Sequence, residues 1–170
     1  MSVYGDITQA STYHDARGQG ARWDAITDQD AALQRGSDYI DQRYREKLKS
    51  GRWLSMFSGT RTDGRSQDRE WPRTGAADYE GNEIASDEIP DEVLHATFEA
   101  ALLEGEEPGS LSPQYVASEQ AKREKVGPIE VEYRDTGSMD TPNRPKVPQI
   151  DEIISPVLTP RYDYPAVRVV

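Results

Sequence analysis

The sequence predicts a mainly α fold: a small helical bundle with a β-hairpin, a long irregular loop and an extended C-terminal arm. Three observations point there. Apolar residues recur every three or four positions in two long stretches, the period of one helix face. Thr, Asp and Pro stand where helix starts favour them. Between these helical stretches, residues 51–89 show neither the helical nor the strand period and are rich in Gly, Thr and Asp. The expected division is a helical domain over residues 1–134, with the hairpin at about 121–134, followed by a Pro-rich linker, a short helix and an arm over 135–170.

Four helices are expected in chain order. The first covers Thr8–Arg17, "TQASTYHDAR", with Thr8 as N-cap and Gly18 as the stop. The second follows Thr27 over "DQDAALQRGSDYIDQRYREKL". Asp28 and Asp30 suit the positive end of its dipole, and Ile26 is placed to staple against Ala31. Leu33, Gly36, Ile40 and Tyr44 form one stripe. Gly36 weakens a helix, so it marks close packing against a neighbour. The third helix starts near Pro90 and runs through "DEVLHATFEAALLEG" to Gly105. Val93, Leu94, Thr97, Phe98, Ala101 and Leu102 make its apolar face. The fourth, "QIDEIISPVL", is short and follows Pro148.

Between the third and fourth helices, "AKREKVGPIEVEY" reads as a hairpin turning at Gly127-Pro128. That register sets Lys125 opposite Glu130, Arg123 opposite Glu132 and Val126 opposite Ile129, so opposite charges and apolar partners coincide. Residues 135–149 contain three Pro and read as an extended linker. In the tail "TPRYDYPAVRVV", Tyr162 and Tyr164, then Val167 and Val169, are spaced two apart. Each pair fits an extended strand with one adhesive face. The tail is either a frayed terminus or an arm that adds itself to another subunit.

Composition narrows the functional classes. Hydrophobic residues make up 35% and charged residues 30%, and mean hydropathy is −0.85, so the expected core is small and the fold is either completed by other chains or includes long exposed segments. With no Cys, disulfides and thiolate metal sites are excluded. No apolar run matches a bilayer span, and "MSVYGDITQA" lacks a signal-peptide core. The expectation is a soluble, unexported protein with no membrane partner. Of the net −11, nine charges fall in residues 81–110, which carry nine acids and no base. Such a block repels phosphate backbones; it is also what a solvated helix face looks like.

Catalytic patterns are absent. The sequence has no phosphate-binding Gly loop, no dinucleotide fingerprint, no HExxH and no GxSxG. His14 and His95 fall on predicted helices and read as structural. "SDEIPDE" lacks the alternating oxygens of a calcium loop, and helix-terminus electrostatics explains it more simply. No enzyme activity, catalytic residue, cofactor or metal is expected.

The segment Arg69–Pro90, "REWPRTGAADYEGNEIASDEIP", reads as a surface loop pinned by a buried Trp71 or as a functional loop. Nearby, "SGRWLSMF" is unusually apolar. Trp53, Leu54, Met56 and Phe57 form either a contact patch or a core insertion. Taken in order, "ASTYHDARG", "ALQRGSDYID", "GTRTD", "WPRTG", "EIPDEV" and "KREKVGPIEVEY" resemble a family of tailed-phage proteins labelled DnaT-like single-stranded-DNA-binding proteins. Members of that family look like the helical head–tail connectors, or neck adaptors, of long-tailed phages.

The resemblance implies a structural virion protein assembled in the host cytoplasm. It would form a self-associated ring, a dodecamer, under the portal protein. It would extend the DNA channel and meet a stopper or tail protein below. The C-terminal arm with Tyr162, Tyr164, Val167 and Val169 would hold the portal. Trp53, Leu54, Met56, Phe57, Trp71 and Arg73 would form an inter-subunit or tail-facing loop. Asp87, Glu88, Asp91, Glu92 and Glu99 would face the channel, where negative charge lets double-stranded DNA slide without sticking. Two alternatives stand beside this. One is a single-stranded-DNA-binding protein, which needs a basic groove with stacking platforms. The only segment able to supply them is 43–73, with Tyr39, Tyr44, Trp53 and Trp71 near Arg43, Arg45, Lys47 and Arg52. The other is a different neck component, a stopper or tail-completion protein.

Overall fold

A computed structural model describes residues 2–48, 50–113, 123–126, 129–132 and 145–159. The fold is mainly α, with short antiparallel strand pairs. Helices α1 (Ile7–Ala16), α2 (Gly20–Asp24) and α3 (Gln29–Arg43) come first. Then come strands β1 (Arg45–Lys47), β2 (Trp53–Ser55), β3 (Thr60–Arg61), β4 (Arg73–Thr74), β5 (Ala76–Ala77) and β6 (Glu83–Ile84). Helix α4 (Asp91–Glu106), strands β7 (Arg123–Val126) and β8 (Ile129–Glu132), and helix α5 (Pro148–Ile154) complete the order.

Local chemistry sets the helix starts, with some differences from expectation. Asp6, not Thr8, caps α1: its carboxylate accepts from Gln9 N–H while the Gln9 side chain reaches back to Asp6 N–H. This reciprocal pair satisfies two donors that the first turn leaves free. Asp28 caps α3 by accepting from Ala31 N–H, one residue later than the Thr27 start. The second expected helix also ends sooner. Tyr44 leaves helical geometry at its C-cap, and Arg45 enters β1 instead. Pro90 is the N-cap of α4, and Pro148 opens α5. Helix α2 was not legible, since five residues hold little more than one turn.

Helix α4 is the axis of the molecule. Its Val93, Ala96 and Ala100 join Tyr4, Ile40, Tyr44, Phe57, Trp71, Ile150 and Ile154 in one core cluster. Its Phe98, Ala101 and Leu102 join Tyr13, Trp23, Ala32 and Leu33 in a second. The stripe expected on α3 is buried, and Gly36 is where the two long helices touch. A Cβ built there would lie 2.7 Å from Thr97 O and 2.8 Å from Ala101 N, so no side chain fits without parting the helices. Helix α5 packs on α4 and brings Ile150 and Ile154 into the same core. His14 is buried, its ring stacked on Trp23 with centroids 5.1 Å apart, which fits a structural role. In the hairpin, Arg123↔Glu132, Lys125↔Glu130 and Val126↔Ile129 are in register, as the sequence predicts.

The long segment after α3 was expected to lack structure of its own. It is instead folded against its own chain. "GTRTD" and "WPRTG" pair with each other as β3 and β4, with Thr60 opposite Thr74 and Arg61 opposite Arg73. Gly59 has φ +68°, and a Cβ there would sit 2.6 Å from Thr74 O, so the first motif requires a glycine. After α5, Thr159 N–H donates to Met56 O at 2.7 Å, tying the end of the described chain to the exit of β2.

Candidate interaction site

A buried polar cluster holds the segment in place. The Arg69 guanidinium donates to Ser2 O at 2.6 Å, to Asp38 at 2.6 Å and to Asp41 at 3.2 Å. Tyr4 OH donates to Asp41 at 2.6 Å and accepts from Trp71 N–H at 3.0 Å. Burial pushes the Asp41 carboxyl above its ordinary range, while Tyr4 and Arg69 pull it back. Burial likewise drives the Tyr4 hydroxyl upward, so it stays a donor. One residue further on, Glu70 pairs with Arg73 at 2.8 Å and with Arg45 at 3.1 Å. Arg73 also donates to Ser58 O and Gly59 O, both at 2.7 Å. Every one of these donors and acceptors is matched, as a buried charge requires.

This anchoring reassigns several residues that were expected to face a partner. Trp71 is 1% exposed, and its peptide bond to Pro72 is cis. It is the buried pin of its loop. Phe57 packs edge-on against it, with centroids 5.7 Å apart, and inserts into the core. Arg73 is buried and committed to Glu70 and two carbonyls. None of the three is on the surface of this chain. Met56 is half-buried against the core. Trp53 and Leu54 differ: they are 59% and 51% exposed, on a two-stranded ribbon formed by β1 and β2.

Those two side chains border an open groove of about 660 Å³, which also exposes Thr60, Arg61 and Arg65 and has Arg45 and Glu70 in its wall. Arg61 donates to Gln67 O at 3.2 Å and has no carboxylate partner among the described residues. Among the described residues, Arg52 and Arg65 are exposed and make no ion pair. Of the residues proposed to serve a nucleic acid, Tyr39, Tyr44 and Trp71 are buried. Arg43 pairs with Asp151 and Arg45 with Glu70. Trp53, Lys47 and Arg52 are left at the surface. Arg61 and Arg65 lie with Trp53 along the groove, a tertiary juxtaposition with no local signal.

The acidic residues separate in the same way. Asp87, Glu88 and Asp91 are exposed, and Glu92 is half-buried; none has a cationic partner among the described residues. Glu99 is 5% exposed and accepts from Tyr13 OH at 2.9 Å. It is an internal acceptor and faces no open surface of this chain, because α4 is packed on nearly all sides. Tyr162, Tyr164, Val167 and Val169 lie outside the described residues. No group of three His, Asp or Glu arranged to hold a metal occurs among the described residues, and no described helix is long and apolar enough to cross a membrane.

No curated protein and no solved structure matches the chain. A family model described as "Putative DnaT-like ssDNA binding protein" matches residues 2–170. That match spans nearly the whole chain, including α1, the paired β3 and β4 motifs and α4, and so the chain belongs to this family.

Proposed function

We propose that the chain is a structural protein of a tailed-phage virion, a neck connector whose copies assemble under the portal, join head to tail and let the genome pass. The observation that carries this is the bare Trp53–Leu54 ribbon. Aromatic and aliphatic side chains this exposed, bordered by cations, suit a surface covered by another protein. The order of sequence motifs supports the same reading. The test is deletion of its gene from the parent phage, followed by electron microscopy of the particles. DNA-filled heads without tails are expected. Intact tailed particles would rule the connector out.

A second reading is single-stranded-DNA binding, and the family description names it directly. The groove favours it, with Trp53 as a stacking platform, Arg61 and Arg65 as phosphate partners in the groove, and the exposed Arg52 next to Trp53 in the chain. Against it, a single platform contributes only about 1–3 kcal/mol, and the chain carries a net charge of −11. Titrating labelled oligothymidine at low and high salt tests it. Tight, salt-sensitive binding lost in Trp53→Ala would place this reading first.

A further inference from the structure

We infer that the groove beside Trp53 receives the acidic turn of a second copy of this chain. The inference rests on the proposal that copies of the chain assemble, and it names the surfaces that meet. The groove presents two cations without carboxylate partners among the described residues, Arg61 and Arg65, next to the exposed Trp53 and Leu54. The chain also carries the complementary surface. Asp87, Glu88 and Asp91 are exposed, and none pairs with a cation among the described residues. This turn is held rigidly. Glu88 N–H donates to Ala85 O at 3.1 Å, and Thr62 OH donates to Ser86 O at 2.7 Å. The second bond fixes the turn to the residue after the strand that carries Arg61. Arg61 and Arg65 form no ion pair with these acids within the chain. Contact between two copies would neutralise both surfaces and cover the apolar pair, the arrangement that steers and registers protein interfaces.

A reciprocal charge exchange tests this. One variant carries Arg61→Glu and Arg65→Glu, the other Asp87→Lys, Glu88→Lys and Asp91→Lys. All five side chains lie on the surface or at its edge, and circular dichroism checks that both variants fold. In sedimentation equilibrium at millimolar protein and low salt, the wild type is expected to self-associate, and 0.5 M salt is expected to weaken that association, about the concentration range where screening is strong. Each variant alone is expected to associate at least about tenfold more weakly, the effect of inverting close charge pairs. A mixture restores association, because each groove then meets a turn of opposite sign. A monomeric wild type, variants that associate as it does, or a mixture that stays apart would each overturn the inference. So would oligothymidine binding that disappears in the groove variant while self-association persists. A failure here leaves the tailless-particle result untouched, so the two proposals fall separately.

Discussion

Replacing Arg69 with Met tests whether the buried ion cluster, and not loop composition, holds the segment that shapes the groove. Arg69 and Asp41 are 7% and 8% exposed at the side chain, whereas Asp38 is 45% exposed. Breaking a fully buried pair costs about 3–5 kcal/mol, because the surviving charge stays buried. Two features reduce this. The Asp38 pair is half in water and contributes under about 1 kcal/mol. Asp41 keeps its bonds from Tyr4 OH and from Glu70 N–H. The expected loss is therefore roughly 2–4 kcal/mol, a drop in Tm of about 5–15 °C for a chain of this size. The deficit also has a pH signature. Burial already holds the folded-state pKa of Asp41 above its unfolded value. Its contribution is thus fully present below the unfolded pKa and is lost as pH rises through the folded one. Without Arg69 that folded value climbs further, so the variant suffers more at neutral pH than in mild acid. Adding Asp41→Asn removes the stranded charge and should recover about 1–3 kcal/mol. Thermal and urea unfolding at pH 5 and pH 8 read all of this. A single variant within about 0.5 kcal/mol of wild type, or additive effects in the double variant, would refute the argument.

Gly36→Ala gains about 1 kcal/mol of helix propensity but forces a methyl group against the α4 backbone, so a net loss of up to about 2 kcal/mol is expected in urea unfolding. Burial holds the His95 pKa below its ordinary value, so the unfolded chain takes up this proton first. Stability should therefore fall as pH drops below about 6.5, and His95→Gln should flatten that slope in Tm measured from pH 7.5 to 5. Trp53→Ser with Leu54→Ser should leave the Tm unchanged within about 2 °C, because both side chains are exposed, while weakening assembly. Removing residues 160–170 spares the Thr159–Met56 bond, so that chain should stay folded by circular dichroism but no longer retain portal protein in a pull-down.

The helices were legible because their signals are local. The α3 stripe and its Gly36 were readable from spacing, and so were the α4 start at Pro90 and the register of β7 with β8. Reciprocal capping by Asp6 and Gln9 was present in the sequence too, although Thr8 offered a competing cap. Two-residue strands such as β3 and β4 show no period, so Gly59–Asp63 and Trp71–Gly75 read as turn material until their pairing is seen. Arg69 and Asp41 are 28 residues apart, and nothing local marks them as partners. The same limit hid the groove, which is assembled from β1, β2 and the residues around β3. Glu99 was grouped with the other acids of its block, but α4 is buried on nearly all sides and carries it inside, which a count of charges does not show.

The most direct test of the central proposal is electron microscopy of particles made by the parent phage without this gene, with the wild-type gene supplied in trans as control. The account predicts DNA-filled heads that lack tails, restored to tailed particles by complementation. Normal tailed particles, together with a defect in DNA replication, would contradict it and favour the nucleic-acid reading.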